Sequence, residues 1–304
     1  MKNDARILIV GQGGFVEQAL MSSFQKKGMS VYSSSRLGLD TTIQPSVYRF
    51  FQEERPEYVI LTSVLSGGIQ ANQDRGADFI YQNLESQNNI IYASWKFGVK
   101  KLLYVGASCM YPRDCSQPMK EEDFFSGVLE KTSEPYSLAK LSGLVMCQAF
   151  YKQYGLNAIS LIPATIYGEH LDGDMNSMHV LNALLLKFQN AVQTGEKEVV
   201  VWGTGEARRE FIHVDDFTRA VEFLFEKHDD PSPVNVGVGE DISIKELAEL
   251  IASAVGFKGR IVFDSSKPDG AKQKLLDSSR INQIGWSSEV DLSSGIRKIL
   301  ERMK

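Results

Sequence analysis

Three observations predict an α/β protein, a doubly wound parallel sheet with a smaller C-terminal domain. Short apolar runs alternate with segments of helical period through the first half of the chain, the pattern of strands crossed over by helices. The first run stops at a glycine-rich turn that opens a helix. After about residue 165 the alternation gives way to loop-rich sequence with its own apolar periodicity. At 304 residues and 43% hydrophobic content the chain can bury a large core, in one large domain or two.

In chain order, Arg6-Ile-Leu-Ile-Val10 is an apolar strand ending at Gly11, and Val16 to Lys27 is a helix stopped by Gly28, a C′-type glycine. Ser30 to Ser34, Tyr58 to Thr62, Lys101 to Gly106 and Leu156 to Ile162 read as further strands, separated by helical stretches such as Phe79 to Phe97. A Gly/Asp/Asn-rich loop follows from Gly168 to Asn176. Then come a helix (Val180 to Thr194), a strand (Val199 to Trp202) and the turn Gly203-Thr-Gly205. Glu210 to Val214 is a strand expected to return to the sheet, and Ile244 to Val255 is an amphipathic helix. The expected division is residues 1–165, whose sheet is completed by part of 206–240, and residues 166–304.

Composition removes several function classes. The formal charge is −5 with no Lys/Arg block, so nothing predicts a nucleic-acid partner. No run approaches the roughly 18 apolar residues of a membrane span, and the N-terminus lacks a signal-like pattern, which points to a cytoplasmic chain without membrane contact. The three cysteines, Cys109, Cys115 and Cys147, form no C-x-x-C spacing, so neither a disulfide framework nor a metal is expected.

Two motifs carry chemistry. Gly11-Gln-Gly-Gly-Phe-Val-Glu17 lies after a strand and before a helix, where backbone N–H groups and the positive helix end hold a pyrophosphate. Gly11, Gly13, Gly14, Phe15 and Val16 are the candidate contacts, with a purely structural turn as the alternative. Glu17 occupies the third glycine position, and its carboxylate is tolerable there only if it turns outward. The second strand ends in Ser33-Ser-Ser-Arg36 with no acidic residue for a free ribose 2′-hydroxyl, so Arg36 is expected to grip a 2′-phosphate, favouring NADP(H); Asp40 is a candidate adenine contact. Arg36 can also be read as an exposed loop arginine. Tyr136-Ser-Leu-Ala-Lys140 sets a phenol and an ammonium at i and i+4 on one helix face, where the ammonium is expected to lower the phenol's pKa from about 10 toward useful acid/base range.

With these residues in hand, the chain resembles the extended short-chain dehydrogenase/reductases of the NAD-dependent epimerase/dehydratase type, and within them the GDP-L-fucose synthase group. The resemblance runs almost end to end. It rests on Gly67-Gly-Ile-Gln-Ala-Asn72, Asp78-Phe-Ile-Tyr-Gln-Asn83, Ser108-Cys-Met-Tyr-Pro112, Glu134 to Lys140, Ser177-Met-His-Val180, Val201-Trp-Gly-Thr-Gly205, Arg208 to Asp216 and Lys267-Pro-Asp-Gly270. It implies a Rossmann-type fold, a homodimer, and a 3,5-epimerase and 4-reductase using NADPH on a GDP-4-keto-6-deoxyhexose for surface-polysaccharide precursors. Tyr136 and Lys140 would be the redox pair, Lys140 and Pro163 also contacting the cofactor. Cys109 and His179 would be the base and acid that invert carbons 3 and 5, since a proton α to a ketone is within reach of a thiolate or imidazole. Ser108, Val180, Leu184, Lys187, Trp202 and Arg209 would bind the nucleotide sugar.

The chain departs from that pattern at three places: Glu17, Thr165 where asparagine is usual, and Ala107 where a catalytic serine is usual. By strand alternation Ser108 is expected to point away from Cys109 and to be unable to replace the missing hydroxyl. Ala107 and Glu17 weaken the hydride-transfer half, while Cys109 and His179 leave the epimerising half intact. The alternatives are therefore an epimerase without reduction, a reductase of another sugar such as a GDP-6-deoxyheptose or a colitose precursor, and a non-catalytic NADP-binding regulator.

Overall fold

The computed structural model of the chain describes residues 4–169 and 178–302. Its first half alternates β1 (Arg6–Val10), α1 (Phe15–Lys26), β2 (Ser30–Ser33), α2 (Gln44–Glu54), β3 (Tyr58–Leu61), α3 (Ile69–Asp74), α4 (Gly76–Lys96), β4 (Lys101–Val105), α5 (Glu134–Tyr154) and β5 (Ala158–Pro163). Then follow β6 (Thr165–Tyr167), α6 (Val180–Thr194), β7 (Glu198–Trp202), β8 (Arg208–His213), α7 (Val214–Lys227) and β9 (Val234–Val236). The chain closes with β10 (Asp241–Ser243), α8 (Ile244–Val255), β11 (Arg260–Asp264), β12 (Gln273–Lys274), α9 (Ser279–Gln283) and α10 (Leu292–Arg302).

A six-stranded parallel sheet runs in the order β2-β1-β3-β4-β5-β9. Its central strands are apolar throughout because helices cover both faces: Ile7, Leu8, Ile9 and Val10 are all fully buried. Strand order reverses at β1, whose neighbours β2 and β3 lie on opposite sides. Right-handed crossovers therefore put α1 on one face, against α7, and α2, α4 and α5 on the other, leaving a crevice at the carboxyl ends of β1 and β3. Phe24 of α1 meets Phe225 of α7 edge-on across that packing.

A second core gathers Leu181, Leu184, Leu185 and Phe188 of α6 with Leu247, Ala248 and Ile251 of α8 and with Ile296 and Ile299 of α10. It rests on small sheets: β8 pairs with β10, β12 and β6, while β7 pairs with β11. The strand expected at Glu210–Val214 is therefore real but misplaced. β8 stays with the second unit, Val214 already opens α7, and the strand that reaches the large sheet is β9. Hydrophobic pattern identifies a buried strand but not its partner, which is decided by where α7 packs. Of the expected loop from Gly168 to Asn176, residues 170–176 lie outside the described residues.

One buried amide ties the crevice to its helical cover. Asn83 of α4 accepts from the Val64 N–H (3.1 Å) and Leu65 N–H (3.4 Å), and donates to the Leu65 and Phe79 carbonyls (both 2.8 Å). Asn83→Ala strands those backbone groups and should cost about 2–3 kcal/mol, read as a lower urea midpoint at unchanged m value.

Candidate active site

The turn after β1 is built for a close approach. Gly14 caps α1 and has no side chain to bond the first-turn N–H groups, and a Cβ at Gly14 would meet nothing within 4 Å, so the helix N-terminus opens onto free space. Gly13 has φ +84°, a left-handed conformation that favours glycine. Phe15 and Val16 begin the helix, half-buried. A Cβ on Gly11 would come within 2.8 Å of both Glu17 Oε2 and Thr62 Oγ1.

Glu17 does not turn outward. It is 2% exposed and folds beneath the turn, where Gly13 N–H (2.7 Å) and the Ser35 hydroxyl (2.8 Å) donate to it together with Ser33. Three donors satisfy the carboxylate internally, so it does not face the crevice. The serines of Ser33-Ser-Ser-Arg36 supply two of them, which is why a carboxylate at position 17 accompanies serines at the end of β2. The Gly13 N–H is consumed in the process, leaving Gly14, Phe15 and Val16 to present the helix end. Ser33 also accepts from the Arg36 N–H at 3.1 Å, so the same network shapes the turn from which exposed Arg36 extends. Asp40, exposed, accepts from both the N–H (3.0 Å) and hydroxyl (2.6 Å) of Thr42, which engages one of its carboxylate oxygens locally.

Tyr136 and Lys140 lie in the first two turns of α5, started by Pro135 near its N-terminus. Tyr104 of β4 fixes this helix. Its hydroxyl sits 2.9 Å from the Lys140 carbonyl and 3.0 Å from Gln87 Oε1, and its ring lies 4.2 Å from Lys140 Nζ. Gly143 allows the contact, since a Cβ there would overlap the Tyr104 hydroxyl. Lys140 is 1% exposed and burial pulls its pKa down to about 7. Burial, then the charge of Cys109, raise the pKa of Tyr136, and a hydrogen bond with Ser63 pulls it back. The expectation that Lys140 lowers the phenol's pKa is thus not met: the ammonium lies over Tyr104, and the group touching the Tyr136 hydroxyl is Ser63 Oγ, at 2.7 Å.

Strand alternation also fails beyond β4. Ala107 is extended, but Ser108–Met110 form a 3₁₀ turn, so alternation says nothing about where Ser108 points. Cys109, half-buried on this turn, lies close enough for its charge to act on Tyr136, Lys140 and Lys274. Cys115 and Cys147 are free thiols raised by burial to about 11 and about 12.

The second unit supplies the remaining candidate residues. His179 caps α6 without using its side chain; it keeps solvent contact, yet desolvation by surrounding protein and then the Lys274 ammonium lower its pKa. Val180 follows it on the same helix end. Leu184 is 3% exposed and belongs to the second core, so it can only back the site. Lys187 Nζ and Lys267 Nζ lie 5.8 and 5.2 Å from the Trp202 ring centroid, flanking a partly exposed indole. Arg209 donates to the Arg208 carbonyl (2.7 Å) and the Asp269 carbonyl (3.1 Å), and burial draws its guanidinium down to about 10. Sequence reasoning missed Lys274. β12 sets it beside Arg209 in register, and a two-residue strand leaves no hydrophobic pattern to find it by. It also left Asp269 without a role, although its carboxylate grips Thr204 N–H and hydroxyl (both 2.8 Å) and so shapes the turn after Trp202.

Comparison with known proteins shows the family. The model of the NAD dependent epimerase/dehydratase family matches residues 7–237. GDP-L-fucose synthase 1 of Arabidopsis thaliana is 42% identical over 293 residues, covering 96% of this chain and 91% of its own. A GDP-6-OMe-4-keto-L-xylo-heptose reductase from Campylobacter jejuni superposes with a TM-score of 0.94 at 36% identity, over 100% of this chain and 98% of that one. A GDP-mannoheptose C4 reductase from the same organism, solved with NADP bound, gives a TM-score of 0.89 at 38% identity, over 99% and 98% of the two chains. The chain belongs to the NAD dependent epimerase/dehydratase family.

Proposed function

We propose that this protein is an NADPH-dependent nucleotide-sugar 3,5-epimerase and 4-reductase acting on a GDP-4-keto-6-deoxyhexose. What supports the reading is a chain of electrostatic neighbours: Cys109 acts on Tyr136 and Lys140 of the large sheet's side and on Lys274 of the second unit, and Lys274 in turn feels Arg209 and acts on His179. We take the two cores as cofactor- and sugar-binding units meeting near residue 165.

The open N-terminus of α1 suits a pyrophosphate and Arg36 a 2′-phosphate, and Pro163 ends β5 on the carboxyl edge of the same sheet. Bound there, NADPH supplies a hydride to a sugar carbonyl. Tyr136 gives its proton to the carbonyl oxygen at carbon 4. At carbons 3 and 5 in turn, Cys109 removes the proton α to that carbonyl and His179 returns one to the same carbon from the other face, each group regaining its starting protonation from solvent between the two inversions. Desolvation and then the Lys274 ammonium lower the His179 pKa, which makes its imidazolium a stronger acid for returning that proton. Arg209, Lys187 and Trp202 hold the diphosphate and base, with Val180 and Ser108 lining the sugar.

A 4-reductase of a GDP-heptose is the second reading, favoured by the close superposition on the Campylobacter reductase. Three free cysteines fit a reducing cytoplasm. Exposed Tyr81 and Tyr92 of α4 and Leu138, Val145 and Tyr154 of α5 fit a homodimer formed through these helices, for which sedimentation should give twice the chain mass.

Incubation with GDP-4-keto-6-deoxymannose and NADPH in deuterated water separates the half-reactions. Cys109→Ser should abolish deuterium entry at carbons 3 and 5, whereas Tyr136→Phe should slow NADPH consumption by about 10²-fold or more and spare the exchange. Absence of NADPH consumption with every 4-keto sugar nucleotide would eliminate the reductase step. Lys140 supplies a test in the apo protein. Its folded pKa of about 7 lies below the free value of 10.5, so between these pH values the unfolded chain binds a proton that the folded chain does not. The resulting penalty is absent above the free value and complete below about pH 7. Wild-type Tm should therefore rise from pH 7 to pH 10 relative to Lys140→Met, and parallel curves would contradict it.

A further inference from the structure

A tyrosine that hands its proton to a sugar oxygen leaves a phenolate behind, and a phenolate walled in by protein needs a hydrogen-bond donor. At the end of β4, where a serine hydroxyl is expected, Ala107 offers only a methyl group. Lys140 Nζ is occupied with the face of Tyr104. Among the described residues, the hydrogen-bond partner of the Tyr136 hydroxyl is Ser63 Oγ, 2.7 Å away on the adjoining strand end.

Ser63 is well held for such a task. It follows directly on β3, at the point where strand order reverses. On one side the Thr62 N–H (2.9 Å) and hydroxyl (2.7 Å) both donate to the Val10 carbonyl of β1. On the other, Asn83 clamps Val64 and Leu65. The residue between two anchored neighbours has little freedom to retreat, and it is half-buried, so its hydroxyl stays at the cleft rather than inside the core. Phe79 meets the Tyr136 ring edge-on at 6.0 Å and sets the phenol's orientation toward it.

We propose that Ser63 is the positioning residue for Tyr136, a hydroxyl relocated from the end of β4 to the end of β3 that offsets the loss at Ala107. This rests on the reductase reading above. In the step concerned, the Tyr136 O–H bond breaks and its proton joins the carbon 4 oxygen, while a hydride from NADPH completes the new C–H bond. The sugar is reduced and the nicotinamide oxidised. Ser63 keeps its own proton, donating a hydrogen bond to the phenolate until Tyr136 is reprotonated from solvent.

The test follows NADPH consumption and deuterium exchange side by side in wild type, Ser63→Ala, Ser63→Thr, Tyr136→Phe and Ser63→Ala/Ala107→Ser. Ser63→Ala should lower kcat for reduction by about 10²-fold and leave exchange within about threefold, a range small beside that loss. Because the donor stabilises the phenolate, its removal should also move the alkaline limb of the rate profile to higher pH, which a merely structural role would not do. Ser63→Thr keeps the hydroxyl and should retain most of the rate, and Ala107→Ser should restore about tenfold or more to the alanine variant. If Ser63→Ala reduces at the wild-type rate with an unmoved limb while Tyr136→Phe is inactive, the inference is overturned and the reductase reading survives. Equal loss of exchange and reduction in Ser63→Ala also overturns it. A Tyr136→Phe variant that still reduces instead sinks the reductase reading itself.

Discussion

Tyr104 is the contact on which the reaction geometry depends. Its hydroxyl bonds the Lys140 carbonyl and its ring carries the Lys140 ammonium, so one side chain of β4 fixes both the height and the rotation of α5. Tyr136, one turn earlier on the same helix, is placed by consequence. Gly143 and Gln87 belong to the same arrangement, the first by leaving room and the second by meeting the phenol oxygen. A site anchored to a central strand and two packed helices holds its geometry better than one carried on loops.

Lys140, Lys187, Arg209 and Lys274 all have pKa values lowered by burial, so each cation sits in surroundings that do not repay its desolvation. Asp269 and Glu130 offset part of that cost at Arg209, and Cys109 and Glu130 at Lys274.

The fold was largely legible because parallel strands buried on both faces are written as unbroken apolar runs, and the helices between them carry their own period. The phosphate-binding turn was legible because glycine is needed where φ is positive and where a Cβ would collide. Glu17 was misjudged in direction: its partners Ser33 and Ser35 are distant in sequence and reach it only after β1 and β2 pair. The β8 assignment failed for a related reason, since a buried strand does not name its neighbour. At Ser108 a period of two was carried past the end of a strand into a 3₁₀ turn.

By itself the sequence determined the strand and helix order, the glycine turn and the Y-x-x-x-K pair, because each depends on residues a few positions apart. It also supplied Cys109 and His179 as candidates, through motifs rather than through any local physical signal. Only the tertiary structure decided that Ser63 meets Tyr136, that Lys140 lies over Tyr104, and that Lys274 comes within electrostatic reach of Cys109 and His179. Those relations join residues from separate strands, and the ionisation of each group follows from how much water the packed chain removes around it.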